Sequence, residues 1–229
     1  ANNTVAFEGD SDFESIKEDK GFKELLQLKV SQSTVIQSST QKTSLSENDL
    51  HPEGLLYLQK HKLWLASSIR NKKIVAFDAN GKCTDWFTDC SYSVFALKTD
   101  SNQKYLWVAC SAIPEMKGFT KKDEGKSEIL KIEIATQKLV QRYSVEGSHV
   151  FGDIIVAKNN DVYISDSSEP FIYKIEKDSL LLWKDLKKEA FNLQGITLDE
   201  NESKLFIADY LKGVLVIYIK TKEHSWLDF

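Results

Sequence analysis

The chain has 229 residues, of which 41% are hydrophobic and 28% are charged, a composition typical of a globular protein with a sizeable core. The formal net charge is -4 and charges of both signs are interspersed, which argues against nucleic acid as a partner because phosphate binding needs a basic face. No apolar run approaches the roughly 18–20 residues of a membrane-spanning helix, so we expect no membrane span. The sequence begins with Ala, which fits either a removed leader or an expression artefact, and we infer export to the periplasm or the exterior.

Residues 1–50 are expected to form an N-terminal segment that is partly strand. The acidic stretch FEGDSDFESIKEDKGF at 7–22 predicts a mobile tail or a short helix. Two strand-like runs follow, ELLQLKV at 24–30 and STVIQSS at 33–39, between polar and Ser-rich stretches.

From residue 51 onward, one six-residue pattern occurs four times. The copies are LWLASS at 63–68, LWVACS at 106–111, VYISDS at 162–167 and LFIADY at 205–210. Their first residues are 43, 56 and 43 positions apart, and the polar stretch at 114–127 accounts for the longer interval as an insertion. A repeat of 40–50 residues, roughly, indicates a propeller or a solenoid.

Each copy of the pattern lies between two further apolar runs, and a weaker fourth run follows. These runs alternate apolar and polar residues and are separated by turn sequences such as DANGK at 78–82, whereas no repeat shows the helical period. Four antiparallel strands per repeat form a propeller blade. We therefore predict an all-β protein, a β-propeller of four-stranded antiparallel blades over 51–229, with blades at 52–90, 92–145, 150–186 and 194–229.

The three cysteines, Cys83, Cys90 and Cys110, are too few for a disulfide framework. Two interpretations stay open. The residues are free, partly buried thiols, or Cys83 and Cys90 form a bridge in an oxidising compartment.

Three stretches resemble one family. They are PEGLLYLQKHKLWLASSIRNKKIVAFDANGK at 52–82, GDIIVAKNNDVYISDSSEPFIYKI at 152–175 and LQGITLDENESKLFIADYLKGVLVIYI at 193–219. They resemble the senescence marker protein, gluconolactonase and luciferin-regenerating-enzyme group of six-bladed propellers. The resemblance implies that the four visible blades belong to an incomplete six-bladed propeller, and residues 1–50 could supply part of a further blade.

Strand direction predicts where a site would lie. The start of each first strand and the end of each second strand share one face, so Glu53, Phe95, Gly152 and Gln194 should surround the mouth of the central channel. The second-strand ends add Ser67, Cys110, Asp166 and Asp209, and the insertion at 114–127 could act as a lid.

The resemblance implies a divalent metal, Ca²⁺, at this mouth. Glu53 matches the family's Glu ligand, Gln194 is a neutral amide at a second ligand position, and Gly152 and Phe95 replace the ligands at two others, with Asp153 beside Gly152. The resemblance therefore implies a degraded metal site. We accordingly assign Glu53, Asp153 and Gln194 to the metal, Asp153 and Asp209 to catalysis, and Phe95, Asp166 and His149 to ligand binding. The structural alternative is that Asp153, Asp166 and Asp209 cap turns or bind the backbone of a neighbouring blade.

Three functions stay open. The chain could be a metal-dependent hydrolase of lactones or related esters, in which the ion polarises the carbonyl and activates water. It could be a non-catalytic propeller that binds a small molecule or a protein partner. It could also be a structural module of a larger exported protein. Motifs of nucleophilic, phosphate-binding or zinc chemistry are missing from the sequence, and a fold alone does not choose among functions.

Overall fold

The computed structural model describes residue 7, residues 9–32 and residues 38–228, with the backbone alone at residue 32. The chain divides into two compact units, one within residues 1–42 and one from residue 43 onward. No helix in the described ranges is long and apolar enough to cross a membrane.

The described part of the N-terminal unit contains two helices and no strand. A 3-10 helix spans Ser11–Ile16, and α1 spans Lys20–Gln32. The Asp19 carboxylate accepts the N–H groups of Gly21 and Phe22, at 2.7 and 3.3 Å, and so satisfies two donors at the start of α1.

The strand expected at 24–30 is therefore wrong, because these residues lie in α1. Glu, Leu, Gln and Lys dominate this run, and their unbranched or γ-branched side chains lose little freedom in a helix. Of the second run, residues 33–37 lie outside the described residues.

The second unit confirms the propeller prediction. It contains four antiparallel four-stranded sheets, each formed by four consecutive strands in sequence order. The first blade consists of β1 (Leu55–Leu58), β2 (Leu63–Ser68), β3 (Lys73–Phe77) and β4 (Cys83–Phe87). The second consists of β5 (Ser93–Thr99), β6 (Tyr105–Ser111), β7 (Ser127–Glu133) and β8 (Lys138–Ser144). The third consists of β9 (Phe151–Val156), β10 (Val162–Asp166), β11 (Phe171–Glu176) and β12 (Ser179–Asp185). The fourth consists of β13 (Leu193–Leu198), β14 (Lys204–Asp209), β15 (Gly213–Tyr218) and β16 (His224–Trp226). That the propeller has further blades stays a prediction.

The core lies between successive blades. Leu65 of blade 1 and Val108 of blade 2 belong to one buried cluster, and Trp107 of blade 2 and Ile164 of blade 3 belong to a second. Tyr163 of blade 3 and Ile207 of blade 4 belong to a third. Alternate residues of a second strand therefore face opposite neighbours, which is why these strands are apolar on both faces.

The four hexamers are all second strands, but the first is out of register by one residue. Just after the second strand of blades 1, 3 and 4, a backbone N–H donates to a carbonyl oxygen that precedes the first strand of the same blade. Ile69 N donates to His51 O, Ser167 N to Val150 O and Tyr210 N to Asn192 O, at 3.2, 2.8 and 3.0 Å. Ile69 thus corresponds to the sixth residue of VYISDS and LFIADY.

The blade 1 strand equivalent to the other hexamers is therefore 64–69, not 63–68. A one-residue slip moves every side chain to the other face of a sheet. Leu63 and Leu65 accordingly face blade 2, although Leu106 and Val108, which share their places in the hexamer, face blade 1. The dipeptide Leu-Trp begins both LWLASS and LWVACS, and aligning these two dipeptides gives the wrong register for blade 1.

The cysteines are free thiols. Cys83 packs beside the cluster of Leu50, Ala66 and Val75, whereas Cys90 lies in the core between blades 1 and 2. A Cys83–Cys90 bridge is therefore the wrong alternative of the two.

Hydroxyl groups connect neighbouring blades. Ser111 of blade 2 is fully buried, and its Oγ accepts the N–H of Phe151 in blade 3 at 2.7 Å. Ser165 Oγ in blade 3 donates to Gln194 O in blade 4 at 2.7 Å. These bonds satisfy backbone groups of the inner strands that the ladders of their own sheets do not reach.

We predict that Ser111→Ala lowers the free energy of unfolding by about 1–3 kcal/mol, because the buried Phe151 N–H loses its acceptor. Chemical denaturation checks this. The matched control is Ser144→Ala at an exposed position of β8, which should change stability by less than about 0.5 kcal/mol. Equal effects of the two substitutions would contradict the connecting role of Ser111.

Candidate functional site

A cavity of about 670 Å³ opens at the mouth of the channel. The first-strand positions Glu53, Phe95, Gly152 and Gln194 line it, together with the residues that follow them, Gly54, Ala96, Asp153 and Gly195. The structure thus brings together, from all four blades, the residues that strand direction places at the mouth. Its remaining lining residues are Leu55, Leu97, Lys98, Ile113, Pro114, Glu115, Val150 and Ser167.

Close approach of the inner strands shapes the cavity. A Cβ atom on Gly54 would lie 2.7 Å from the carbonyl oxygen of Phe95 and 3.3 Å from Ser67 Oγ. Only glycine lets blades 1 and 2 approach this closely. Ser67 Oγ accepts the N–H of Gly54 at 2.7 Å and lies 3.3 Å from Phe95 O, so it fixes both strands that carry Glu53 and Phe95.

Glu53 and Gln194 present hydrogen-bond acceptors to the cavity. Both side chains are exposed, and no residue that the structure describes hydrogen-bonds or ion-pairs with the Glu53 carboxylate. Gln194 Nε2 donates to Asn192 Oδ1. This bond uses the amide nitrogen of Gln194 and leaves its amide oxygen as an acceptor. These two side chains are therefore available to a ligand.

Asp153 lines the cavity but is already hydrogen-bonded. Its Oδ2 accepts the N–H of Ile196 in blade 4 at 3.0 Å, and its Oδ1 accepts the N–H of Ile154 at 2.8 Å. The carboxylate therefore connects two inner strands, which is the structural alternative given by the sequence.

Asp166 and His149 lie together beneath the surface. Asp166 is 0% exposed, and its Oδ1 accepts the N–H of Val150 at 3.0 Å and of Ser168 at 3.0 Å. Its Oδ2 lies 2.6 Å from His149 Nδ1, and the other ring nitrogen lies 3.0 Å from Glu146 O. Both ring nitrogens therefore lie within hydrogen-bonding distance of an oxygen, so the ring is held on two sides.

Tyr173 adds to this buried group. Its hydroxyl lies 3.5 Å from His149 Nδ1. Burial and the charges of Asp166 and Glu169 raise the pKa of Tyr173 to about 12, so the hydroxyl stays neutral. The group holds the loop before β9 and does not bring Asp166 or His149 into the cavity.

Asp209 has the same structural role in blade 4. It is 4% exposed, and its two oxygens accept four backbone N–H groups, from Phe191, Asn192, Leu211 and Lys212, at 2.7 to 3.0 Å. Burial works to raise the pKa of Asp209, but the four donors outweigh burial and hold the pKa below its ordinary value. A carboxylate with both oxygens occupied in this way is a cap for two loops.

The insertion forms a fixed wall beside the cavity. Ile113, Pro114 and Glu115 line the cavity at its start. Lys117 N then donates to Arg70 O at 2.9 Å, and His149 N donates to Gly125 O at 2.7 Å. The insertion is thus hydrogen-bonded near both ends, and the side chain of its Met116 is buried.

Sequence reasoning missed Lys98 and Ser167 as lining residues, whereas Glu115 belongs to the insertion that it placed at this mouth. Lys98 lies on the inner strand β5, three residues after Phe95, and extrapolation along that strand would have included it. Three carboxylates, of Glu53, Glu115 and Asp153, face one ammonium group, so the cavity is negative overall.

Comparison with known proteins shows the fold and nothing finer. No protein-family model matches the chain, and no curated protein sequence matches it. Hydrazine synthase of Kuenenia stuttgartiensis is similar in structure, with a TM-score of 0.61, 13% identity and coverage of 73% of this chain and 53% of that chain. An extracellular domain assigned to a hybrid two-component system of B. thetaiotaomicron has a TM-score of 0.59 and 15% identity, covering 84% of this chain and 26% of that one.

A gluconolactonase of Xanthomonas campestris is also similar, with a TM-score of 0.56 and 12% identity. The match covers 76% of this chain and 61% of the gluconolactonase chain. The chain therefore spans less than two thirds of each of these proteins. The likeness supports the propeller fold, but it does not transfer an activity. One of the three proteins, the gluconolactonase, carries the name of a member of the group that the sequence resembles.

We predict that Asp209→Asn lowers the free energy of unfolding at neutral pH by about 1–3 kcal/mol, because the amide NH₂ replaces an acceptor that faces two N–H donors. The folded-state pKa lies below the ordinary one. The carboxylate's contribution is therefore fully present above the unfolded-state pKa of about 3.9 and is lost as pH falls through the folded-state value.

Urea denaturation of wild type and variant at several pH values checks this. The stability gap should narrow below about pH 4. The exposed Asp228→Asn is the control and should show no gap at any pH. A gap that widens on acidification would contradict the capping role.

Proposed function

We propose that the cavity at the channel mouth binds a small polyhydroxylated molecule, and that the domain works as a ligand-binding propeller. The observation that carries the proposal is a difference in hydrogen bonding among the acidic side chains. Asp153, Asp166 and Asp209 are hydrogen-bonded to backbone, whereas the exposed side chains of Glu53 and Gln194 both line the mouth. Two acceptor side chains on different blades suit a ligand that carries several hydroxyl donors.

Apolar side chains also contribute to the cavity lining, namely those of Phe95, Ile113, Pro114 and Val150. The C–H face of a ring polyol packs against such a surface while its hydroxyls reach the acceptors. The excess of carboxylates disfavours an anionic ligand.

A bound Ca²⁺ does not fit the residues at this mouth. Calcium takes 6–8 oxygen ligands, with several charged carboxylates for affinity. Glu53 and Glu115 offer carboxylates that have no partner among the described residues, Gln194 offers a neutral oxygen, and Asp153 is already engaged by two N–H groups, so the mouth supplies fewer oxygens than calcium takes. Within the described ranges, no group of three or more His, Cys, Asp or Glu side chains could hold a metal ion.

Hydrolysis of a lactone or related ester is the second candidate function. One observation favours it, the exposed Glu53 carboxylate inside the cavity, which could accept a proton from an attacking water. Asp153 and Asp209, which the sequence assigned to catalysis, are less suited because their oxygens are occupied by backbone donors. The similarity to a gluconolactonase supports this candidate at the level of fold.

We predict binding of neutral polyols that depends on Glu53. Saturation-transfer NMR with glucose, galactose and myo-inositol should detect at least one binder, and gluconate, which carries a carboxylate, should bind more weakly. Glu53→Gln should lower the affinity for that polyol by about tenfold, because a hydrogen bond to a charged acceptor contributes about 1.5–3 kcal/mol. The matched control is Glu200→Gln, an exposed carboxylate in the turn between β13 and β14, which should bind as wild type does.

Two outcomes would overturn the proposal. One is that no neutral polyol binds, or that Glu53→Gln leaves binding unchanged. The other is tight Ca²⁺ binding by calorimetry that Glu53→Gln abolishes, together with Ca²⁺-dependent hydrolysis of glucono-δ-lactone above the buffer rate. That second result would establish the hydrolase candidate.

A further inference from the structure

Two cysteines lie in the same buried cluster between blades 1 and 2. Cys90 sits in the connection between β4 and β5 and is 8% exposed, and Cys110 lies in β6 and is 0% exposed. Both are free thiols. They are twenty positions apart in the chain, and neither takes part in the proposed ligand site.

The buried carboxylate of Glu128, on β7, holds the segment that contains Cys90. Cys110 lies directly opposite Glu128 in the pairing of β6 with β7, and opposite residues share one face of a sheet. The Glu128 carboxylate accepts the N–H of Ser91 at 2.9 Å and its hydroxyl at 3.1 Å. Ser91, which follows Cys90 in the chain, is thus bound to Glu128, which lies opposite Cys110 in the sheet.

Arg142 completes this anchor. It pairs with Glu128, and it donates to Asp89 O at 3.0 Å and to Ser91 Oγ at 2.9 Å. Residues 89–91 are therefore held on both sides of Cys90.

The two thiols interact directly. Burial raises the pKa of the Cys110 thiol well above its ordinary value, and the neighbouring Cys90 thiol and Glu128 raise it further. Cys110 is thus protonated at neutral pH and unreactive on its own. Cys90, which is nearer the surface, is the thiol that an oxidant reaches first.

We propose that Cys90 and Cys110 are a disulfide-forming pair, which a small-molecule disulfide converts into a covalent clamp between the blade 1–blade 2 connection and β6. The Cys90 thiolate attacks the small disulfide, releases one small thiol and leaves a mixed disulfide. Cys110 then attacks the Cys90 sulfur and passes its proton to the departing small thiolate, which leaves as the second small thiol. Two protein thiols are oxidised to one disulfide, and one small disulfide is reduced to two thiols.

The clamp closes a loop of about 20 residues and so restricts the unfolded chain. It pins the start of β5, two strand positions from Phe95, without touching the cavity. The clamp therefore stabilises the contact between blades 1 and 2 and should leave ligand binding unchanged.

The experiment treats the folded full chain with oxidised glutathione at mildly alkaline pH, then alkylates remaining thiols after unfolding and maps peptides without reduction. We expect a linked Cys90–Cys110 peptide, loss of both thiols together, and a melting temperature that rises on oxidation and falls again with dithiothreitol. Cys83→Ser is the matched control, and it should form the same link and show the same shift.

Cys110→Ser provides the decisive comparison. In this variant Cys90 should stop at the glutathione adduct, because the second thiol is missing. The proposal is overturned if wild-type Cys90 also stops at the adduct while Cys110 is recovered alkylated. It is equally overturned if Cys83 is linked to Cys90, or if both buried thiols survive the treatment unmodified.

Discussion

Hydrogen bonds between the second strand of one blade and the first strand of the next determine the geometry of this protein. Ser67 reaches the inner strand of blade 2, Ser111 that of blade 3 and Ser165 that of blade 4. Apolar packing between sheets is not directional, whereas these bonds fix how far one inner strand slides past the next. They therefore place the residues at the mouth, and Glu53, Phe95 and Gln194 meet across one cavity because of them.

The acidic residues near the channel fall into two classes, those whose carboxylates accept backbone N–H groups and those whose carboxylates stay open to a ligand. Asp166 and Asp209 stand at second-strand ends, where loops leave backbone N–H groups without ladder partners, and their carboxylates satisfy those groups. Asp153 stands on an inner strand and connects it to the neighbouring one. Glu53 is held through its backbone, so its side chain is left for a ligand. A count of acids near the channel overstates the capacity for catalysis, because most of them stabilise the fold.

Much of the fold could be predicted from the sequence. Repeat spacing and two-residue alternation predicted the four blades. Strand direction predicted that the starts of the first strands line the cavity, whereas the second-strand ends that it also placed at the mouth, Ser67, Cys110, Asp166 and Asp209, do not line it. The helix at Lys20–Gln32 was missed because a short run such as ELLQLKV fits both a strand and a helix, and the choice depends on the Asp19 cap and on helix propensity. The register of blade 1 was missed because two apolar neighbours, Leu63 and Trp64, make either alignment plausible. The roles of Asp166 and Asp209 depend on which backbone donors the loops leave unpaired, and a sequence does not show this.

Native-state hydrogen exchange tests the connecting bonds most directly. The amides of Phe151 and Ile196 donate to Ser111 and Asp153 across blade boundaries, so they should exchange as slowly as ladder amides at the centre of a blade. Amides of Lys121 and Lys122, in the exposed part of the insertion, give the fast reference. Slow exchange at both donors supports the account. Exchange of Phe151 and Ile196 at the rate of the insertion would contradict it, because the inner strands would then be positioned by something other than these bonds.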